Sequence, residues 1–399
     1  MTTYGGPVEY IAAVLLVLQV LIAGTYLKGR RAVWPRAAWV GAVTLLVLLW
    51  AATLISLWLT WSGTMYTSRV VPVGLGTAIS AIGYFWLFLS SLCTAICTVA
   101  RFVAAGIPGA YSPGRRLWLR AAGVAVVAIP AAGAAFGALV ERNRYGVREL
   151  DLPVPGLHPD LEGFRIVQVS DLHVSPFLSP REAGRVIDMA NELKADLAVF
   201  TGDLISELGD PLDEAIRQLI RLRADSGVFG CMGNHEQYVG CRNYLERAAN
   251  RAGLVFLRAA ATRIRRGQAI LNLVGVDYQR NAERGRYLAD TEGLVVSGTP
   301  GASNILLSHN PDVFPTAIKR GFQAVLSGHT HGGQVNVEIL HQNINPARFR
   351  TPFTSGLYRH GLSGAVPGSC FVTNGIGTIG MPIRLGAPPE IALLRLRRA

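Results

Sequence analysis

Phe164-Arg165-Ile166-Val167-Gln168-Val169-Ser170-Asp171-Leu172-His173 is the stretch that decides the fold. Its β-branched run, Arg165–Ser170, reads as a strand, and it leads straight into Asp171 and His173, two side chains that are costly to bury in a core. Ser179-Pro180-Arg181-Glu182 follows with an N-cap, a proline at the first helical position and a capping-box glutamate, which opens a helix to about Lys194. Further strands are expected at Leu197–Thr201, Val228–Met232, Leu271–Val276, Ile305–Ser308 and Ala324–Ser327. Short β-branched runs alternating with amphipathic helices are the signature of βαβ units. No internal repeat is evident.

Polar residues close these runs in a fixed order: Asp171-Leu172-His173, Gly202-Asp203, Gly233-Asn234-His235-Glu236, Ser308-His309 and Gly328-His329-Thr330-His331. Ligand sites in open α/β sheets form beyond the carboxyl ends of the strands, so five strand ends would converge on one crevice. A lone D-x-H is common in surface turns. Five of the eight histidines falling in one ordered series is what a purely structural explanation does not supply. Two carboxylates, one amide and four imidazoles, with no thiolate, suit Mn, Fe, Zn or Co. Seven donors exceed the shell of one such ion, whereas two ions sharing a carboxylate would leave positions open for water and substrate. Two divalent cations and two aspartates leave a net positive site that attracts a phosphate anion.

The order D-x-H, G-D, G-N-H-E, H, G-H-x-H resembles the calcineurin-like metallophosphoesterases, over about residues 147–399. Gly332-Gly333-Gln334 and the stretch from Thr373 to Glu390 resemble the bacterial membrane-associated or exported branch of that family. The resemblance implies an α/β four-layer (αββα) sandwich in residues 164–399, after a Pro-rich linker and first strand at 141–163. It also implies Asp171, His173, Asp203 and His331 as ligands of one metal, with Asp203 bridging to a second completed by Asn234, His309 and His329. His235 matches the family's catalytic histidine, and the nucleophile would be a metal-bound hydroxide. For Arg384 and Glu390, which fall in the C-terminal motif, a structural salt bridge and a phosphate contact are both open. His158, His341 and His360 read as solvated.

The first 140 residues differ in character. Four apolar stretches, about 8–27, 38–60, 74–103 and 117–140, are each long enough to span a bilayer core of about 30 Å. All seven tryptophans lie in this part, several near the ends of the stretches. The expected architecture is therefore an N-terminal four-helix transmembrane domain ahead of the sandwich. The net charge of +12 owes much to nine Lys/Arg against one acid in residues 1–140, placed in loops between the spans. That distribution argues for membrane flanks and against nucleic acid. By the positive-inside rule the catalytic part is extracytoplasmic in a multi-pass cell-membrane protein. Arg115-Arg116-Leu117-Trp118-Leu119-Arg120 resembles a twin-arginine signal, and the fourth stretch could be anchor or cleaved leader. Cys231 and Cys241 could pair if exported.

The resulting expectation is a membrane-anchored binuclear phosphoesterase, most simply a phosphodiesterase on a lipid-linked or membrane-proximal ester. Two rivals are a pyrophosphohydrolase of a nucleotide-linked lipid precursor, of the UDP-diacylglucosamine type, and a non-catalytic membrane sensor or scaffold. Oligomeric state is not encoded in any motif.

Overall fold

The computed structural model describes residues 7–32, 35–61, 87, 91, 132–133, 136–279, 288, 291–296, 298–339, 342–361 and 367–399. The chain divides into two compact units, Met1–Phe136 and Gly137–Ala399.

In the first unit, α1 (Pro7–Arg30) and α2 (Arg36–Trp61) occupy the first two expected spans. Among the described residues no helix is long and apolar enough to cross a membrane. This overturns the N-terminal four-helix transmembrane domain. Run length weighs composition alone and ignores what the side chains face. Here Leu16 is buried with Leu87, and Ala13 and Leu15 of α1 and Trp50 of α2 pack against them, so part of the apolar surface of these helices is covered by protein. Gln19, buried within α1, donates to the Leu87 carbonyl at 3.0 Å and to the Ser91 hydroxyl at 2.7 Å. Most of residues 74–103 and of 117–140, and the double arginine Arg115-Arg116 ahead of the latter, lie outside the described residues.

The second unit is a two-sheet α/β sandwich. One sheet has the order β1-β14-β2-β3-β4-β5: β1 (Gly146–Val154), β2 (Arg165–Val169), β3 (Leu197–Phe200), β4 (Val228–Gly230), β5 (Leu254–Phe256) and β14 (Glu390–Arg398). The other runs β12-β13-β9-β8-β7-β6: β6 (Ala260–Arg266), β7 (Ala269–Gly275), β8 (Ala302–Leu307), β9 (Ala324–Ser327), β12 (Gly356–His360) and β13 (Gly368–Val372). A two-stranded ribbon, β10 (Val337–Ile339) with β11 (Gln342–Ile344), stands apart. β2, β3, β4 and β5 are mutually parallel, as are β7, β8, β9 and β13. Pro153, which cannot donate to a ladder, lies in the edge strand β1.

Alternation along the strands builds the layers. Ile166, Val199, Leu273, Leu307, Leu326 and Phe371 meet between the sheets. Val167, Val169 and Phe200 face outward against α3 (Pro180–Glu192), α4 (Leu212–Leu219) and α6 (Arg242–Asn250), through Val186, Ile187, Leu219 and Leu245. On the far side Leu306, Val325 and Val372 pack on Phe314 and Ala317 of α7 (Phe314–Lys319). Each such fully buried side chain contributes about 1.5–3 kcal/mol relative to exposure. α3 starts as its sequence predicts, because Ser179 accepts from Glu182 N while Glu182 accepts from Ser179 N at 2.8 Å. Cys231 and Cys241 are free, buried thiols.

Candidate metal centre

All eight singled-out residues stand just beyond strand ends. Asp171 and His173 follow β2, Asp203 follows β3, Asn234 and His235 open α5 (Asn234–Val239) after β4, His309 follows β8, and His329 and His331 follow β9. The two sheets thus deliver side chains to one place from parallel strands pointing the same way. Gln168 bridges the sheets just below, donating to the Thr201 hydroxyl at 2.9 Å and to the Ser327 carbonyl at 3.0 Å.

The turns that carry the ligands are bent against ordinary backbone preference. Asp171, His173, Asp203, His329 and His331 all have left-handed φ, between 46° and 75°. Such conformations cost non-glycine residues about 1–2 kcal/mol each and persist where the surroundings over-determine them. Gly202 is needed for close approach, since a Cβ there would stand 2.5 Å from Gly233 N. The loops are tied to each other by Asp171 N donating to Gly202 O at 2.9 Å and His173 N to Asp203 O at 3.1 Å.

The donor atoms converge. His173 Nε2 lies 3.0 Å from His331 Nε2 and 3.5 Å from Asp203 Oδ2, and His331 Nε2 lies 3.4 Å from Asp171 Oδ1. His309 Nε2 is 3.0 Å from Asp203 Oδ2, 3.1 Å from Asn234 Oδ1 and 3.2 Å from His329 Nδ1. Two donors bound to one ion at about 2.0–2.1 Å stand about 2.9–3.4 Å apart in octahedral or tetrahedral shells. The observed spacings match. Asp171–His173–His331 and Asp203–His309–His329 are each close enough to hold one ion, and His173–Asp203–His235 forms a third such group. Asp203 belongs to two of these groups.

Partners behind the ligands orient them. His309 Nδ1 donates to the Thr201 carbonyl at 2.6 Å, which turns Nε2 toward Asp203, and His173 Nδ1 meets the Ser206 hydroxyl at 3.1 Å. Burial pushes His173 and His331 well below the usual histidine range and His329 down to about 3, so these rings are neutral, as ligands must be. Burial, with the Asp203 charge behind it and against the pull of His309, moves Asp171 up to about 6. Burial opposes ionisation of Asp203, but His309 and His235 hold it well below the usual carboxylate range. His309 is raised to about 10 because Asp203 and Asp171 outweigh the effect of burial. This anionic, imidazole-lined pocket of oxygen and nitrogen donors fits divalent cations.

His235 is half-buried and donates its Nδ1 proton to the Ser206 carbonyl. Its main-chain N–H holds Asp203 Oδ1 at 2.9 Å. Glu236, given no role by sequence reasoning, is fully buried and accepts from Gly233 N at 2.7 Å, Asp203 N at 3.0 Å and Leu204 N at 2.6 Å. A glutamate at the third position of a helix that follows Gly233 is the signal that could have found it.

Arg384 is fully buried and bonds carbonyls rather than Glu390: Asn374 O at 2.8 Å, His331 O and Ala387 O at 3.1 Å, and Gly377 O, with His331 Nδ1 3.2 Å away. Glu390 pairs with Arg148 at 3.4 Å and accepts from Asn374 N. Among the other histidines, His158 caps the turn Pro159–Leu161 and His360 ends β12, while His341 lies outside the described residues.

Residues 164–333 match the calcineurin-like phosphoesterase family. A protein of Aquifex aeolicus named as an uncharacterized metallophosphoesterase is 32% identical over 244 residues, covering 58% of this chain and 85% of that protein. A Bacillus subtilis protein of the same description is 31% identical, covering 59% of this chain and 80% of the relative. A Danio rerio protein named as a transmembrane protein with metallophosphoesterase domain is 30% identical over 69% of this chain, which spans 63% of that protein's length.

Proposed function

The chain belongs to the calcineurin-like metallophosphoesterases, and from that premise we propose that it hydrolyses a phosphate ester with two divalent cations. The carrying observation is the convergence of seven donors from five strand ends, with Asp203 Oδ2 3.5 Å from His173 on one side and 3.0 Å from His309 on the other. Asp171, His173 and His331 would hold one ion, and Asn234, His309 and His329 the other, with Asp203 shared. Mn, Fe, Zn and Co all suit these donors. Such ions supply a water activated at neutral pH and positive charge facing the phosphate.

The chain's own part is to orient and to move a proton. Ser206 holds His235 through Nδ1, which leaves the other ring nitrogen free to meet the phosphate and protonate the departing oxygen. Neutral imidazoles and two carboxylates leave the loaded centre at about +2, suited to an anionic ester.

For the substrate we propose a phosphodiester on a lipid-linked or membrane-proximal molecule, supported by the relative named as a transmembrane protein. The nucleotide-lipid pyrophosphohydrolase and the non-catalytic scaffold remain the rivals. The presence of all seven donor side chains counts against the scaffold. The test is turnover by the metal-reconstituted full chain on monoesters, diesters, lipid phosphates and pyrophosphate-linked lipids. Diester cleavage with the highest kcat/KM supports the reading. Two bound ions with no turnover on any class would leave the scaffold.

A further inference from the structure

Beyond β11, Asn345–Thr351 forms a turn whose helical part is Pro346–Phe349. It is fastened to both ligand-bearing loops of the second sheet. Asn345 caps the turn by accepting from Ala347 N at 2.9 Å and donates to the Gly332 carbonyl at 2.8 Å, next to His331. At the other end the Thr351 hydroxyl donates to the Asp312 carboxylate, three residues past His309. Between these fastenings Arg348, Phe349 and Arg350 are exposed, with Phe349 at 94%. Phe353 packs on Phe314 at 5.6 Å and on Tyr358 at 5.2 Å, so the core takes one aromatic ring and leaves its near neighbour in water. The Asn345 bond to Gly332, the neighbour of His331, puts the base of this turn beside the metal centre.

We propose that this tip docks on an anionic lipid bilayer, with Phe349 entering the interface and Arg348 and Arg350 meeting acidic headgroups. The inference deepens the phosphoesterase reading and rests on it, because the docked tip would present the crevice to phosphate borne by lipid. Size decides between a bilayer and a protein partner. A stable protein interface takes about 800 Å² from each side, which three residues on one turn do not supply. A membrane needs only a ring at headgroup depth and flanking cations. The fastenings hold the ring out before contact, so little ordering is left to be done on docking.

The experiment uses the full chain carrying Phe349→Trp, read as the difference in tryptophan emission from wild type, whose seven tryptophans all lie within residues 1–140. The probes are vesicles of phosphatidylcholine alone and of phosphatidylcholine with about one third phosphatidylglycerol. Expected is a blue shift, with quenching by brominated acyl chains, on the anionic vesicles only. Adding Arg348→Glu should weaken that partitioning at least tenfold, since each arginine near an anionic surface is worth about fivefold. No difference signal on anionic vesicles would overturn the proposal, and so would an equal signal on neutral ones. Wild-type hydrolysis of bis-p-nitrophenyl phosphate without vesicles reports on the site separately. Hydrolysis without docking sinks the tip alone, whereas docking without hydrolysis by the metal-loaded chain sinks the enzymatic reading alone.

Discussion

Replacing Glu236 by glutamine should loosen the metal centre without touching a donor atom. The carboxylate accepts three main-chain N–H groups, two on Oε2 from Gly233 and Asp203 at 2.7 and 3.0 Å and one on Oε1 from Leu204 at 2.6 Å. An amide has one accepting oxygen. If it keeps the Gly233 and Asp203 bonds, its NH2 faces the Leu204 N–H, and two buried donors go without acceptors. Each such orphan costs about 1–3 kcal/mol, so Glu236→Gln should lose about 2–6 kcal/mol. At about 2–4 °C per kcal/mol for a unit of this size, Tm falls by roughly 5–20 °C. Glu236→Ala, which orphans all three N–H groups, should fall further. Because the released peptides carry Asp203, bound metal counted by elemental analysis should drop well below two per chain while the protein is still folded. Calorimetry and metal analysis together make the assay. An unchanged Tm with two ions retained in Glu236→Gln would refute the argument that this buried carboxylate fixes the Asp203 turn.

Asp203→Asn should disrupt both metal positions, because it removes the one charge shared by two groups of ligands; elemental analysis finding two ions and full activity would overturn the ligand assignment. His235→Ala should keep most of its metal yet lose roughly 10²-fold or more in kcat, and loss of metal instead would move His235 into the ligand shell. Burial, with the Asp210 charge behind it, raises the Glu207 carboxyl from its ordinary 4.5 to about 8. A raised folded-state value means stability is fully present below about pH 4.5 and is lost as pH rises through 8. Glu207→Gln should therefore match wild type in Tm near pH 4 and exceed it near pH 9; parallel pH profiles for the two proteins would contradict that sign.

The site was legible in the sequence because its chemistry is written locally: each ligand stands within four residues of a strand end, and the strands that carry them are short buried runs. The Ser179 cap was legible for the same reason, since its partners Glu182 and Pro180 are its near neighbours. Pairings across the chain were not. β1 joins β14 with Gly146 opposite Glu390, and nothing near Gly146 signals a strand that follows more than two hundred residues later. Arg384 escaped because a fully buried guanidinium bonded to carbonyls has no sequence pattern of its own. Residues 1–140 misled through a true property read too simply, as apolar length says that surface must be covered without saying by what.

The left-handed turns at Asp171, His173, Asp203, His329 and His331 have a consequence for descent. Glycine would relax every one of those five backbones, by about 1 kcal/mol or more each, and only the need for a donor side chain keeps it out. A lineage that abandoned the chemistry would be free to drift toward glycine there and would grow sturdier as it did so. Five strained donors together therefore set the centre against the stability of the fold, and a chain with glycines at these places would be sturdier but without these ligands.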